Sequence, residues 1–271
     1  FCALENGDLF LVNDSITTTT TTTTTTNNNN NDNNNKNKFD CELVAQVPGG
    51  IVAASFDPMK QQCVILTKDA KILTMNMDFY LLNERKNMLS DDDDDDDDDD
   101  ENEKERIKYG KITWRGDGES FAVYCTTVGE NGKNYFRTYS RDKLEILGRG
   151  DVDNSEDETA PGMMVEDAAI AWQPRGALIA VSGIIINEEG KNRHHRHHNC
   201  PCVVFYEKNG LRRSSLIMRG HTGKITNLSW SVDSLTLAIS TFDETTNESF
   251  VSIWTRGNAH WTCKRSLGTS T

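Results

Sequence analysis

Two stretches of this 271-residue chain carry side chains that could do chemistry. His194, His195, His197 and His198, followed by Cys200 and Cys202, supply the imidazole and thiolate ligands that zinc takes. Their spacing argues against a structural zinc site. Adjacent ligands on one short segment do not form the separated pairs that surround a tetrahedral ion, and Cys202 falls in a run with strand character. The other stretch, Asp91 to Asp100, offers ten consecutive carboxylates. Such a tract could attract divalent ions or a basic partner, but like charges repel and extend the chain, so a solvated loop is expected. Two shorter motifs carry less. Arg115-Gly116-Asp117, with Trp114 ahead and Gly118 behind, reads as a strand-to-strand turn and not as an adhesion signal. Gly148-Arg149-Gly150 lacks the third glycine and the helix of a dinucleotide-binding loop.

The sequence holds no nucleophile elbow, metalloprotease helix, phosphate loop or kinase signature. Its remaining paired carboxylates lie in connectors, where nothing would desolvate one and raise its pKa for acid–base work. No catalytic, cofactor-binding or metal-ligating residue is assigned, and the chain reads as a non-enzyme.

What remains is a set of elements that position surfaces. Phe56, Trp114, Trp172 and Trp230 recur every 58 residues. Two residues before them stand Ala54, Ile112, Ile170 and Leu228. Seven after come Cys63, Phe121, Ile179 and Leu237, and nine after come Ile65, Val123, Val181 and Ile239. Period-two apolarity on both sides of a short polar gap predicts two strands joined by a turn. Pro58, Pro174, Asp117, Asp233, Gly118 and Gly176 supply turn chemistry in that gap. Between the apolar positions of the second strand lie Val64, Ala122, Ala180 and Ala238, so these strands are apolar on both faces, as in a sheet sandwiched between two others.

Each unit continues with a third run (Ala70 to Met75, Tyr135 to Tyr139, Cys202 to Tyr206, Phe250 to Trp254) and a fourth, more polar one (Phe79 to Leu82, Leu144 to Leu147, Leu211 to Leu216, Trp261 to Leu267). Four strands in series predict propeller blades. The fold class is therefore all-β, an incomplete β-propeller of about four full blades plus remnants, with Phe56, Trp114, Trp172, Trp230 and Trp254 as blade anchors. A blade takes about 40 to 45 residues, so the longer interval implies inserted loops. These are expected at 15–38 (a Thr run and an Asn-rich run), 87–108, 151–162 and 188–199, all within one propeller domain over 1–271. The chain opens inside a hairpin with its turn at Asn6-Gly7 and reads as part of a longer protein.

The net charge is −13, of which the Asp run supplies ten, leaving −3 for the rest. The folded part is nearly neutral and lacks the basic stripe of a nucleic-acid binder. Seven cysteines without framework spacing point to a reducing compartment, and no apolar run reaches membrane-spanning length. The Asn-x-Ser sequons at Asn13, Asn227 and Asn247 are accordingly read as chance.

Gly220-His221 before a strand and Trp254 about a blade later are similar to the marks of WD repeats, with Thr255 in place of the usual Asp. His221 is expected to make a turn hydrogen bond within its blade. The phrases KITWRGDGESFAV, YFRTYSRD, IAWQPRGALIAV, VVFYEKNGLRR and LSWSVDSLTLAI resemble the N-terminal propeller region of the largest, scaffold subunit of the Elongator complex. Trp172 to Gly176 followed by Phe205 to Leu211 is the most specific combination. The resemblance covers 41–267 outside the insertions and extends to Ala3–Val12; the homopolymer runs and histidine loop depart from it.

The resemblance implies a subunit without its own active site. Elongator modifies the wobble uridine of tRNA at carbon 5, and the family assigns that chemistry to another subunit, a radical S-adenosylmethionine acetyltransferase. The scaffold holds that subunit and a second WD-repeat subunit, and it dimerises through C-terminal helical repeats outside this chain. Contact with tRNA would be indirect, through the complex, and location cytoplasmic, with a nuclear role left open. The alternatives are a propeller that binds RNA or a peptide directly as an adaptor, and a propeller enzyme with carboxylates in its channel.

Overall fold

Alternating apolar residues build strands throughout, and the computed structural model arranges them in five antiparallel sheets. It describes residues 2–14, 39–59, 61–90, 105–129, 132–150, 163–164, 167–185, 200–257 and 260–270. The expected insertions at 15–38 and 151–162 lie outside the described residues, as do 91–104 and 186–199. The first sheet has three strands, β1 (Cys2–Ala3), β2 (Asp8–Asp14) and β3 (Phe39–Gln46). The second is β4 (Ile51–Phe56), β5 (Gln62–Thr67), β6 (Ile72–Asn76) and β7 (Leu81–Arg85). The third is β8 (Ile107–Trp114), β9 (Ser120–Thr127), β10 (Asn134–Ser140) and β11 (Ile146–Gly150).

In the fourth sheet the first strand is divided. Both β12 (Met163–Met164) and β13 (Ile170–Trp172) pair with β14 (Ile179–Ile185), which is followed by β15 (Cys200–Tyr206) and β16 (Arg212–Ile217). The fifth is β17 (Lys224–Trp230), β18 (Thr236–Asp243), β19 (Glu248–Arg256) and β20 (Trp261–Ser270). The architecture is all-β, an incomplete β-propeller.

Some boundaries differ from the sequence expectation. The fourth sheet opens directly after the expected insertion at 151–162, where Met163–Met164 pair with Ile185 and Ile184. The interval 87–108 is not loop throughout, because Met88 is fully buried and Ile107 opens β8.

The sheets stack in chain order because alternate residues of each second strand serve opposite seams. On β5, Cys63 and Ile65 join Leu9 and Val47 of the first sheet, whereas Val64 and Leu66 face Trp114, Phe121 and Val123 of the third. On β9, Ala122 and Tyr124 turn the other way, onto Trp172, Ile179 and Val181. Ala180 then meets the cluster of Leu237, Ile239 and Trp254. Burying both faces removes roughly 1.5–3 kcal/mol worth of exposed apolar surface per large side chain, which is why these strands read as continuous apolar runs. β18 keeps strict alternation, with Leu237 and Ile239 buried and Ala238 and Ser240 half-exposed, since no described sheet covers its second face.

A recurrent irregularity was not visible in the sequence. In every sheet the last strand but one slips register against the last, at Leu9/Phe10, Thr74/Met75, Thr138/Tyr139, Phe205/Tyr206 and Ile253/Trp254. A bulge adds twist, so its repetition gives the outer strands a common turn relative to the inner ones.

Candidate functional site

Each anchor side chain sits in a seam between two sheets. Trp114 donates its indole Nε1–H to the carbonyl oxygen of Ser55, 3.3 Å away, and Trp230 donates to the carbonyl of Ala171 at 3.1 Å. At the intervening seam the partners change: the backbone N–H of Trp172 donates to Thr113 Oγ1 at 3.0 Å, while its buried indole Nε1 has no partner among the described residues. Ser55, Thr113 and Ala171 each stand immediately before the anchor of the preceding sheet. The 58-residue interval therefore reappears in space as ties between residues 59 apart.

Phe56 packs half-buried on the first seam, beside Leu9 and Phe79. Trp254 is buried in the last seam, its Nε1–H donating to Ser252 Oγ at 2.8 Å. The five anchors are not brought together at one point; they mark successive seams.

The same spacing recurs in ties that the anchors do not make. Tyr109 Oη donates to the Ala168 carbonyl at 3.3 Å, Asn83 Nδ2 to Asp142 O at 2.8 Å, and the Arg175 N–H to Ser234 Oγ at 2.8 Å, each across 59 residues. Thr138 Oγ1 donates to the carbonyl of Lys208 across the third seam. Sequence reading missed these positions because most acceptors are main-chain carbonyls, which every residue carries.

The second seam also holds a buried cation. Arg137, 3% exposed, donates from its guanidinium to the carbonyls of Met88, Leu89 and Ser90, with Nη2 to Leu89 O at 2.9 Å and Nη1 to Ser90 O at 2.8 Å. Beside it Cys125 Sγ lies 3.9 Å from Met88 Sδ. Burial pushes the thiols of Cys63, Cys125 and Cys202 up to about 12.

The motifs with apparent chemistry are placed as follows. Arg115-Gly116-Asp117 forms the turn between β8 and β9. Gly118 N–H donates to Arg115 O, the two Asp117 oxygens engage the Glu119 N–H and Arg115 Nε, and Gly118 has φ +72°. Gly116 comes so close to the next sheet that an added Cβ would lie 2.2 Å from Pro174 O. Gly148-Arg149-Gly150 ends β11. Cys200 and Cys202 lie on β15, Cys202 fully buried, while the four histidines fall outside the described residues. His221 donates its backbone N–H to Met218 O, and its ring stands 6.3 Å from Trp254. Beside it Thr222 Oγ1 donates to Asp243 Oδ2 at 2.6 Å, which holds that carboxyl below its ordinary value. Among the described residues no three or more His, Cys, Asp or Glu gather as a metal cluster, and no helix is long and apolar enough to cross a membrane.

Four-stranded antiparallel sheets, stacked face to face in chain order with an aromatic anchor at each seam, define the β-propeller class. The model of the ELP1 first N-terminal beta-propeller matches residues 94–271, about two thirds of the chain, and the chain belongs to that family. It is similar to Elongator complex protein 1 of Rattus norvegicus, 27% identical over 264 residues, and of Mus musculus, 28% identical over 262. It is also similar to the Schizosaccharomyces pombe protein of that name, 26% identical over 258 residues. These alignments take in 85%, 85% and 83% of this chain and 18% of each relative.

Proposed function

We propose that this chain is the propeller platform of an Elongator scaffold subunit and performs no bond-making itself. It would serve carbon-5 modification of the tRNA wobble uridine by holding the catalytic radical S-adenosylmethionine acetyltransferase subunit and a second WD-repeat subunit in fixed relation, in the cytoplasm. The observation that carries this reading is the repeated tie across 59 residues. With Trp114 bonded to Ser55 and Trp230 to Ala171, neighbouring sheets cannot slide without breaking a part-buried hydrogen bond. Turns mounted on such a stack keep their relative positions and can orient a large partner. The family and the names of the relatives support the choice of complex.

The test is affinity purification of the full-length protein from cells, with mass spectrometry of the eluate. The catalytic subunit and the second WD-repeat subunit are expected at near-equal amounts, and their absence would overturn the assignment. Binding of tRNA by the 271-residue chain alone, with a steep loss of affinity as salt rises, would instead favour a direct adaptor.

A further inference from the structure

Charge on an outermost strand guards its free edge against unwanted pairing. On the outermost strands of the first two sheets that charge is acidic or mixed, with Glu42 on β3 and Glu84 and Arg85 on β7. The fourth and fifth sheets carry one sign only on theirs. β16 opens with Arg212 and Arg213, and β20 carries Lys264 and Arg265. Lys208 in the turn before β16 and Arg256 at the end of β19 add to them. Residues 200–217 and 248–270 thus hold six cations against two carboxylates, Glu207 and Glu248, in a chain whose net charge is −13. Arg213 is paired with Glu207 at 2.6 Å, whereas Arg212, Arg256, Lys264 and Arg265 are exposed and have no ion pair among the described residues. Register and packing put the charges at one level of neighbouring strands. Arg212 stands opposite Tyr206 and Cys263 opposite Trp254, each at its sheet's bulge, with Arg213 and Lys264 as the extra residues. Trp261, where β20 begins, stacks on Phe205 of the fourth sheet with ring centroids 4.7 Å apart.

Two further observations select the partner. β20, with 10 residues, is the longest described strand, and no strand pairs with its outer edge among the described residues. An extended peptide can use the main-chain donors and acceptors of such an edge; a sugar-phosphate backbone cannot form that ladder. Single-stranded nucleic acid also needs aromatic faces on which bases stack. The one aromatic ring on β16 or β20, Trp261, is half-buried and taken up by Phe205 and Trp230. We propose that the outer edge of β20, beside Arg212 and Arg213, docks an extended acidic segment of another protein. The segment adds as a fifth strand to the sheet, and its carboxylates pair with Lys264, Arg265 and Arg212. Main-chain hydrogen bonds supply the affinity, and the cations select the sign and register of the segment.

The experiment titrates a fluorescein-labelled peptide of alternating Glu and Val with the purified full-length protein and follows anisotropy. Binding is expected, weakened by about tenfold or more in the double variant Lys264→Glu, Arg265→Glu. That variant is expected to bind the corresponding Lys-Val peptide instead, which shows that the reversal changed the sign of the site and left the fold intact. Replacing each Val of the acidic peptide by Pro keeps the charge, removes alternate N–H donors and is expected to abolish binding. The proposal is overturned by no binding of the Glu-Val peptide, by undiminished affinity in the double variant, or by its failure to take the Lys-Val peptide. Equal binding of the proline peptide, or tighter binding of a single-stranded oligouridine, would overturn it as well.

Discussion

Trp172 and Trp230 hold equivalent places, yet only one of their indole N–H groups has an acceptor among the described residues, and this separates the hydrogen bond from the packing. Trp230→Phe removes a donation to Ala171 O and should cost about 1 kcal/mol beyond the loss of ring volume, whereas Trp172→Phe removes an orphan donor and should cost distinctly less. Urea unfolding of both variants measures the difference. Residue burial also fixes a pH response. The Cys63, Cys125 and Cys202 thiols are raised from 9.0 to about 12 in the fold. Below pH 9 both folded and unfolded chains keep them protonated; above it the unfolded chain ionises first, so their contribution to stability falls as pH rises from 9 towards 12. Tm should drop between pH 9 and 10.5, and less so in Cys202→Ala. In the native protein a thiol reagent at pH 8 should label exposed Cys263 ahead of these three. The anchor positions were legible in the sequence because tryptophan is rare and its neighbours repeat with it. The residues that hold the anchors were not, since nothing in Ser55 or Ala171 announces that its carbonyl is an acceptor.

Among elements, the turns decide how closely sheets approach. Gly116→Ala would place a methyl group 2.2 Å from the carbonyl oxygen of Pro174, backbone that cannot rotate away, and should destabilise by roughly 1–3 kcal/mol. Asp117→Ala, which loses an exposed ion pair and one turn hydrogen bond, should cost less than about 1 kcal/mol. Paired denaturation curves of the two variants would establish that the tripeptide is a packing device. Strand existence was readable from period-two apolarity, and the third and fourth runs of each unit overlap strands, although β7 and β11 open two residues later than expected, beyond Phe79 and Leu144, whose φ is positive. The bulges were not readable, because one extra residue leaves the apolar pattern intact on either side. The split of the fourth sheet's first strand escaped for a related reason: Met163 and Met164 adjoin an acidic connector, so their apolarity is too short a run to register as a strand.

At the scale of the whole molecule, the described sheets are sealed unequally. The outward face of the fifth sheet presents Val251 and Leu267, a cross-strand pair that is 39% and 50% exposed, next to half-exposed Ala238 and Ile253. Produced alone, the 271-residue chain should self-associate through this face, and Val251→Glu should lower the sedimentation coefficient at a given concentration. The anchor ties have a direction as well. Ser55 is made before Trp114, Thr113 before Trp172 and Ala171 before Trp230, so each anchor residue reaches a partner that already exists when it leaves the ribosome. Growth at about 5–20 residues per second gives roughly 3–12 seconds for one repeat to settle before the next arrives. The order of translation and the order of docking coincide, which keeps each unfinished apolar face uncovered for one repeat's synthesis and no longer.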